Sequence, residues 1–281
     1  MRGIIVLLVV AGGLSATARE YVVRGVADPE PDLLARALSN DDGLLLLTSP
    51  LTTRKAYLAA VAERTALALQ RAGYPDAKAA ATIEAGGDGG RVVVDVVPGP
   101  RFTAAGIAVA GLPDDLAADL RSWLKSQRPP PDAVPQSVDA DGGWSGVRWV
   151  DHRGQPASLE PPLWSRGQPA ACDPHHLRDL RTAIARFLRD HGRFAAARAV
   201  EKPASTGPRC DVSLERDPAE ATLSISFADL PPPAVLREIE VAPASRTTAA
   251  ALGDLLGATV GAAVTEHDRL SWQETLRATG R

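Results

Sequence analysis

A chain of 281 residues with 34 acidic and 31 basic side chains has a formal charge of -3, so it offers no basic field to a phosphate backbone and nucleic acid is excluded as its partner. Its 45% hydrophobic and 23% charged content is that of a core-forming protein, and its length calls for two or three small domains. Aromatic residues at 4%, with many Ala and Val, point to helices laid over narrow sheets rather than to a large enzyme core.

Met1-Arg2 gives a positive start, Gly3 to Leu14 an uncharged apolar run, and Ala16-Thr17-Ala18 a small-residue cleavage site. Together they predict a signal peptide over 1–18 and an exported protein. Tyr21, Val23 and Gly25 then open a strand. Asp32 to Ser39 is predicted as a first helix and Arg54 to Ala72 as a second, with Leu58, Val61, Thr65, Ala68, Leu69 and Ala72 on its apolar face. Leu44 to Leu47 between them is expected to be buried connection. Gly73 stops the second helix, and Tyr74-Pro75-Asp76 carries the chain out of helical geometry. Ala79, Ala81 and Ile83, then Val92, Val94 and Val96, alternate with their neighbours across the Gly86–Gly90 turn, which predicts a hairpin with one buried face. Pro98-Gly99-Pro100 ends that ladder.

Ile107 and Val109 before Gly111 repeat the pattern of Tyr21, Val23 and Gly25, 86 residues later. Asp114 and Asp115 suit the start of a helix that runs to about Leu124. From Arg128 to Ala171 the chain is rich in Pro, Gly and Asp and is predicted to be an insertion or long surface loop, with Trp144, Trp149 and Trp164 pinning it down. Asp173 and Pro174 start a helix with the stripe Leu177, Leu180, Ile184, Phe187 and Leu188 that ends on Gly192. Phe194 to Glu201 and Ala221 to Phe227 are predicted as the strands of a second hairpin, ended by Pro231-Pro232-Pro233. Ile239-Glu240-Val241 is predicted to open a third unit, although Pro243 stands where the pattern has Gly. Its helices carry Leu252, Leu255 and Leu256, then Leu270 and Leu276 behind a Thr265/Asp268 capping box. Leu69 and Gly73, Leu188 and Gly192, Leu276 and Gly280 share one spacing.

Gly73-Tyr74-Pro75-Asp76-Ala77, Gly99-Pro100-Arg101 and Ile107-Ala108-Val109-Ala110-Gly111 resemble, in order and spacing, the POTRA domain (polypeptide-transport-associated domain), whose pattern is a helix, G-Y-x-x-A, a hairpin, G-P-R and I-x-V-x-G. The resemblance implies an α+β fold of tandem β-α-α-β-β units, each a small three-stranded mixed sheet covered by two helices. On that pattern unit 1 is 19–100, unit 2 is 101–235 with the insertion at about 128–171, and 236–281 is an incomplete unit 3.

It further implies a non-enzymatic periplasmic arm of an outer-membrane protein assembly or translocation factor, attached through a C-terminal membrane β-barrel that this chain lacks. Residues 247–281 are then expected to be the least ordered folded part. Unfolded outer-membrane protein segments are the implied clients, with accessory envelope proteins as further partners. Clients add a strand to an exposed sheet edge. The second strand of each unit is the edge strand in this family, which carries the role to Lys78, Ala80, Thr82 and Glu84 and to Ala197, Ala199 and Glu201. The arm of a dedicated secretion pore is the alternative, and an exported hydrolase using Asp and His residues of the insertion the reading from another class.

Cys172 and Cys210 are the only cysteines, and an even count in an exported protein predicts a disulfide between them. His175 and His176 are adjacent and so lie on different sides of a helix, which argues against a metal pair with His191 or Asp173. No cofactor is expected. The Gly86–Gly90 run joins two strands rather than opening a helix, so it is a turn and not a phosphate loop.

Overall fold

The computed structural model describes residues 20–49, 51–85, 90–130, 134–140, 144–150, 153–202, 207–241 and 247–279. The predicted signal peptide, Gly86–Gly89, Pro243 and Gly280 lie outside them, as do the side chains of Trp144 and Trp149. Two compact units divide the chain: one runs to Thr103 and takes in Pro169–Pro174, and the other comprises Ala104–Gln168 and the residues from His175 onward.

The first unit runs β1 (Tyr21–Arg24), α1 (Pro31–Ser39), α2 (Asp42–Leu46), α3 (Arg54–Arg71), β2 (Lys78–Glu84) and β3 (Arg91–Val97). β3 is the central strand of three, parallel to β1 and antiparallel to β2. Its alternating Val92, Val94 and Val96 meet Val23, Leu34, Leu38, Leu44, Tyr57, Val61 and Leu69 in one buried cluster. α3 is capped by Thr53, whose hydroxyl accepts from Ala56 N at 3.2 Å. The buried face of α3 is Tyr57, Val61, Thr65 and Leu69, a strict four-residue step, so Tyr57 takes the place predicted for Leu58, which is only half-buried. A tyrosine is tolerated there because its hydroxyl reaches that of Tyr21 at 2.6 Å. The Leu44–Leu47 connection is a one-turn helix capped by Asp41, with Leu44 buried but Leu45 and Leu46 exposed.

The second unit runs β4 (Thr103–Ala110), α4 (Asp114–Lys125), β5 (Val134–Ala140), β6 (Trp144–Val150), α5 (Pro174–Asp190), α6 (Phe194–Glu201), β7 (Arg209–Asp217) and β8 (Glu220–Ala228). Its sheet order is β4-β8-β7, so the last strand is again central, while β5 and β6 form a separate two-stranded sheet. The insertion therefore contains an antiparallel hairpin where the composition predicted little regular structure.

A larger correction concerns Phe194–Glu201, which is a helix and not the second strand of the unit. Four of its eight residues are alanines, the strongest helix formers, and three of them, Ala196, Ala197 and Ala199, bury together with Val200 at helical spacing. The strand is β7 instead, where Val212 and Leu214 alternate with Asp211, Ser213 and Glu215 and pair with β8 from Arg209–Ala228 to Asp217–Glu220.

The shared leucine-to-glycine spacing has a backbone cause. Gly73 and Gly192 both adopt positive φ, 93° and 70°, and the residue after each donates back to the leucine carbonyl, Tyr74 to Leu69 at 3.0 Å and Arg193 to Leu188 at 2.7 Å. The glycine carbonyl is then used in the same way in both units. Phe102 N donates to Gly73 O at 2.8 Å and Phe102 O accepts from Ala170 N at 3.0 Å; Ala234 N donates to Gly192 O at 2.8 Å and Ala234 O accepts from Val264 N at 3.0 Å.

This second set extends the repeat into the last segment, which holds α7 (Ala249–Leu256) and α8 (Glu266–Ala278). Ile239–Val241 is not a strand. β1 and β4 are each held by a central strand that comes later in their units, and no such strand lies alongside this stretch among the described residues. The predicted capping box is formed: Asp268 N donates to Thr265 Oγ1 at 3.2 Å and Thr265 N to Asp268 Oδ2 at 2.9 Å. These bonds to Thr265 hold the Asp268 carboxyl below its ordinary range. α8 buries none of its residues, so the cap is a main support of that helix. Replacing Thr265 with Ala is expected to cost about 1 kcal/mol of local stability, seen as faster amide exchange over Glu266–Ala278; unchanged exchange there refutes the assignment.

Candidate functional site

Which backbone groups an edge strand offers follows from its pairing. Val92 N donates to Glu20 O at 2.9 Å, on the β1 side of β3. Backbone direction alternates along a strand, so Val92, Val94 and Val96 turn toward β1 while Arg91, Val93, Asp95 and Val97 turn toward β2. In the register Glu84–Arg91, Thr82–Val93, Ala80–Asp95 and Lys78–Val97, it is therefore Lys78, Ala80, Thr82 and Glu84 whose N-H and C=O are spent on β3. The groups facing the open edge belong to Ala79, Ala81 and Ile83. An independent contact agrees: Arg54 Nη2 donates to Ile83 O from outside the sheet, at 3.5 Å.

The side chains divide the same way. Lys78, Ala80 and Thr82 are exposed on the face away from the helices, whereas Ala79, Ala81 and Ile83 pack partly against the core. Glu84 is held by Arg91 at 2.8 Å and Arg24 at 3.2 Å, and the Arg91 bond, with help from Arg24, keeps its carboxyl below the ordinary range. Beside this edge lies a cleft of about 580 Å³ lined by Arg54, Lys55, Leu58, Ala59 and Ala62 of α3 and by Ala81.

In the second unit a Cβ on Gly111 would run into Phe227 O, so Phe227 turns its carbonyl toward β4. By the same alternation Asp211, Ser213 and Glu215 pair with β8, and Cys210, Val212, Leu214 and Arg216 turn their backbone groups outward. Ala197 and Ala199, expected on this edge, are buried in α6, and Glu201 at its end pairs with Arg189 at 2.5 Å. α6 packs against β7, so this edge has a neighbouring helix of its own.

Cys172 and Cys210 are not joined by a disulfide. Cys172 belongs to the first compact unit and Cys210 to the second. Cys172 Sγ donates to Gln70 O at 3.3 Å. Burial, with the Asp211 charge adding, pushes the Cys210 thiol up to about 12, so it stays protonated and unreactive at neutral pH. Asp173, fully buried ahead of α5, takes Nε and Nη2 of Arg71, both at 3.3 Å. Among the described residues no group of three His, Cys, Asp or Glu side chains is placed to hold a metal ion, and no helix is long and apolar enough to cross a membrane.

Ala79, Ala81 and Ile83 as the outward set, and Arg54, Lys55 and Leu58 as its lining, were not assigned to a site from the sequence. The signal lay in the combination of a parallel first strand with an antiparallel second, which decides how the central strand's backbone is shared.

No family model matches the chain, and no curated protein does. Among solved structures it is similar to POTRA3-5 of Haemophilus influenzae BamA, with 10% identity, 94% of this chain and 85% of that chain covered, and a TM-score of 0.42. It is also similar to the N-terminal domain of Omp85 from the thermophilic cyanobacterium Thermosynechococcus elongatus, at 14% identity, 93% and 84% coverage and a TM-score of 0.33. A third is POTRA1-3 of the periplasmic domain of Omp85 from Anabaena, at 13% identity, 93% and 84% coverage and a TM-score of 0.32. Within the chain itself one strand order, with the last strand central, and one helix ending occur twice, so the described chain is a tandem of two α+β units, each with a three-stranded mixed sheet, as the resemblance implied.

Proposed function

We propose that the chain is the periplasmic arm of an outer-membrane protein assembly or translocation factor, and that unfolded client segments bind its first unit by adding a strand to β2. The observation that carries this reading is the edge itself. Ala79, Ala81 and Ile83 turn their backbone groups to a side on which no strand lies among the described residues, above a cleft with apolar walls. Main-chain pairing gives affinity with little demand on client sequence, which suits a protein that handles many unfolded chains. The leader-like residues 1–18 support export, and the POTRA-like motifs support a membrane β-barrel as the partner of the arm. In the second unit the corresponding edge is β7, where Cys210, Val212 and Leu214 turn their backbone groups outward, in place of the Ala197–Glu201 stretch.

Proline placed along β2 tests the reading. Ala81→Pro deletes a donor on the open edge and leaves the β2–β3 ladder complete, a position proline tolerates. Thr82→Pro deletes a donor that β3 uses and is expected to disrupt the unit. Binding of an extended, fluorescently labelled peptide, with circular dichroism as the check on folding, is expected to weaken about tenfold in Ala81→Pro, roughly one to two edge hydrogen bonds. Unchanged binding by the folded Ala81→Pro protein excludes β2 as the client edge.

A further inference from the structure

Pairing with β2 explains how a client is held but not which clients are preferred. The cleft beside the strand bears on that choice. Side chains of Ala79, Ala81 and Ile83 lean toward the helices, and a strand laid along the edge in the same pleat sends every second side chain down beside them. What those side chains meet is Leu58, Ala59 and Ala62 on α3, with Ala81 as the near wall. Three of these four residues are alanines, and the room they leave, about 580 Å³, accepts branched apolar side chains. The remaining lining is Arg54 and Lys55, and no acidic residue lines the cleft.

These two cations are placed to act on a ligand. Arg54 sits at the end of the edge where Ile83 O lies and donates to that oxygen at 3.5 Å. Among the described residues neither Arg54 nor Lys55 has a carboxylate within ion-pair distance. The acid next along β2, Glu84, is engaged by Arg91 and Arg24. An incoming carboxylate at that end therefore meets two cations that need not leave another partner, one of them a guanidinium able to take both oxygens.

Resting on strand addition at β2, we infer that the first unit selects extended peptides of about five to seven residues with apolar side chains at alternate positions and a carboxylate at the end beside Ile83. The length follows from the span of Ala79 to Ile83 at about 3.3 Å per residue. Such a pattern is that of an amphipathic strand ending in an acidic residue or in the chain's own C-terminal carboxylate. A basic residue at that end is disfavoured by the same two charges.

The test uses labelled heptapeptides of alternating Val and Thr, blocked at both ends, that carry Glu, Gln or Lys at either terminal position, titrated against the whole chain by fluorescence anisotropy in low salt. A fourth peptide carries Gln and a free C-terminal carboxylate, which separates the two sources of the charge. The Glu peptide or the free-carboxylate peptide is expected to bind about five- to tenfold more tightly than the blocked Gln peptide, and the Lys peptide more weakly. The preference should fall toward unity in 0.5 M salt and in Arg54→Gln/Lys55→Gln, two exposed replacements that leave the core untouched. Ala62→Leu, which fills the cleft, should weaken all the peptides together while keeping their ranking. Equal binding of the acidic, neutral and basic peptides overturns the acidic preference and leaves strand addition standing. A preference that survives the double replacement overturns the assignment to Arg54 and Lys55. Failure of every peptide to bind overturns this inference and the proposed function together.

Discussion

Replacing Gly111 with alanine is expected to cost the second unit about 3 kcal/mol or more, whereas Gly106→Ala, five residues earlier and within β4, should be neutral or slightly stabilising. Gly111 follows β4 at φ +80°, and a Cβ there runs into the carbonyl carbon and oxygen of Phe227, backbone atoms of the central strand that cannot swing aside. A Cβ at Gly106 meets nothing within 4 Å. Gly25 repeats the arrangement in the first unit, at φ +88° against Val96 O. The glycine that closes the I-x-V-x-G pattern is thus required by close approach as well as by dihedral: the chain leaves the first strand by crossing the end of the central one. Amide exchange resolved by segment checks this, because the loss should appear in β8 and α5 while β3 and α3 keep their protection. Similar exchange in the Gly106→Ala and Gly111→Ala proteins would falsify the packing argument.

Where the sequence was legible, a backbone or burial constraint left a periodic mark. Val92, Val94 and Val96 alternate because the helices cover their face of β3, although Val93 on the other face is buried as well. Leu69 and Leu188 stand four residues before a glycine because their carbonyls receive the bond that closes the helix. Thr265 and Asp268 stand three apart because each caps the other. Where legibility failed, two constraints left the same mark. Phe194–Glu201 alternates Ala with Arg and Val, and alanine satisfies a strand's small-residue face as well as a helix's, so propensity decided in favour of the helix. Tyr57 was missed because its phenol argues for exposure until Tyr21 is seen opposite it. The candidate edge shows a deeper limit. Side-chain alternation tells which residues face the helices, but which backbone groups are free depends on how β1 and β2 share β3, and that is a property of the sheet rather than of any one strand.

The insertion supplies the other large effect. Trp164 was expected to pin a surface loop, yet it is 2% exposed and stands among the largest buried side chains of the chain. The last turn of α4 receives it: Leu124 O accepts from both Leu163 N at 3.1 Å and Trp164 N at 3.2 Å, and Leu124 is itself fully buried. Four residues before Trp164 the chain is tied again, by a reciprocal pair of bonds between Arg128 and Glu160 at 3.0 and 2.7 Å, with the Arg128 guanidinium buried against Pro161 O at 3.1 Å. The far end of the insertion is therefore part of the unit's interior. Trp164→Ala removes an indole whose burial accounts for about 150–250 Å² and is expected to destabilise the second unit by about 3–5 kcal/mol. Trp164→Phe should cost far less, about 1 kcal/mol, because Trp164 Nε1 has no hydrogen-bond partner among the described residues and its loss leaves no acceptor stranded. Denaturant titration of the three proteins, with exchange of the α4 and α5 amides as the local readout, separates the two substitutions. A Trp164→Ala protein as stable as the parent would refute this role of Trp164 and make the stretch from Glu160 to Gln168 a loop that the unit carries rather than one on which its core depends.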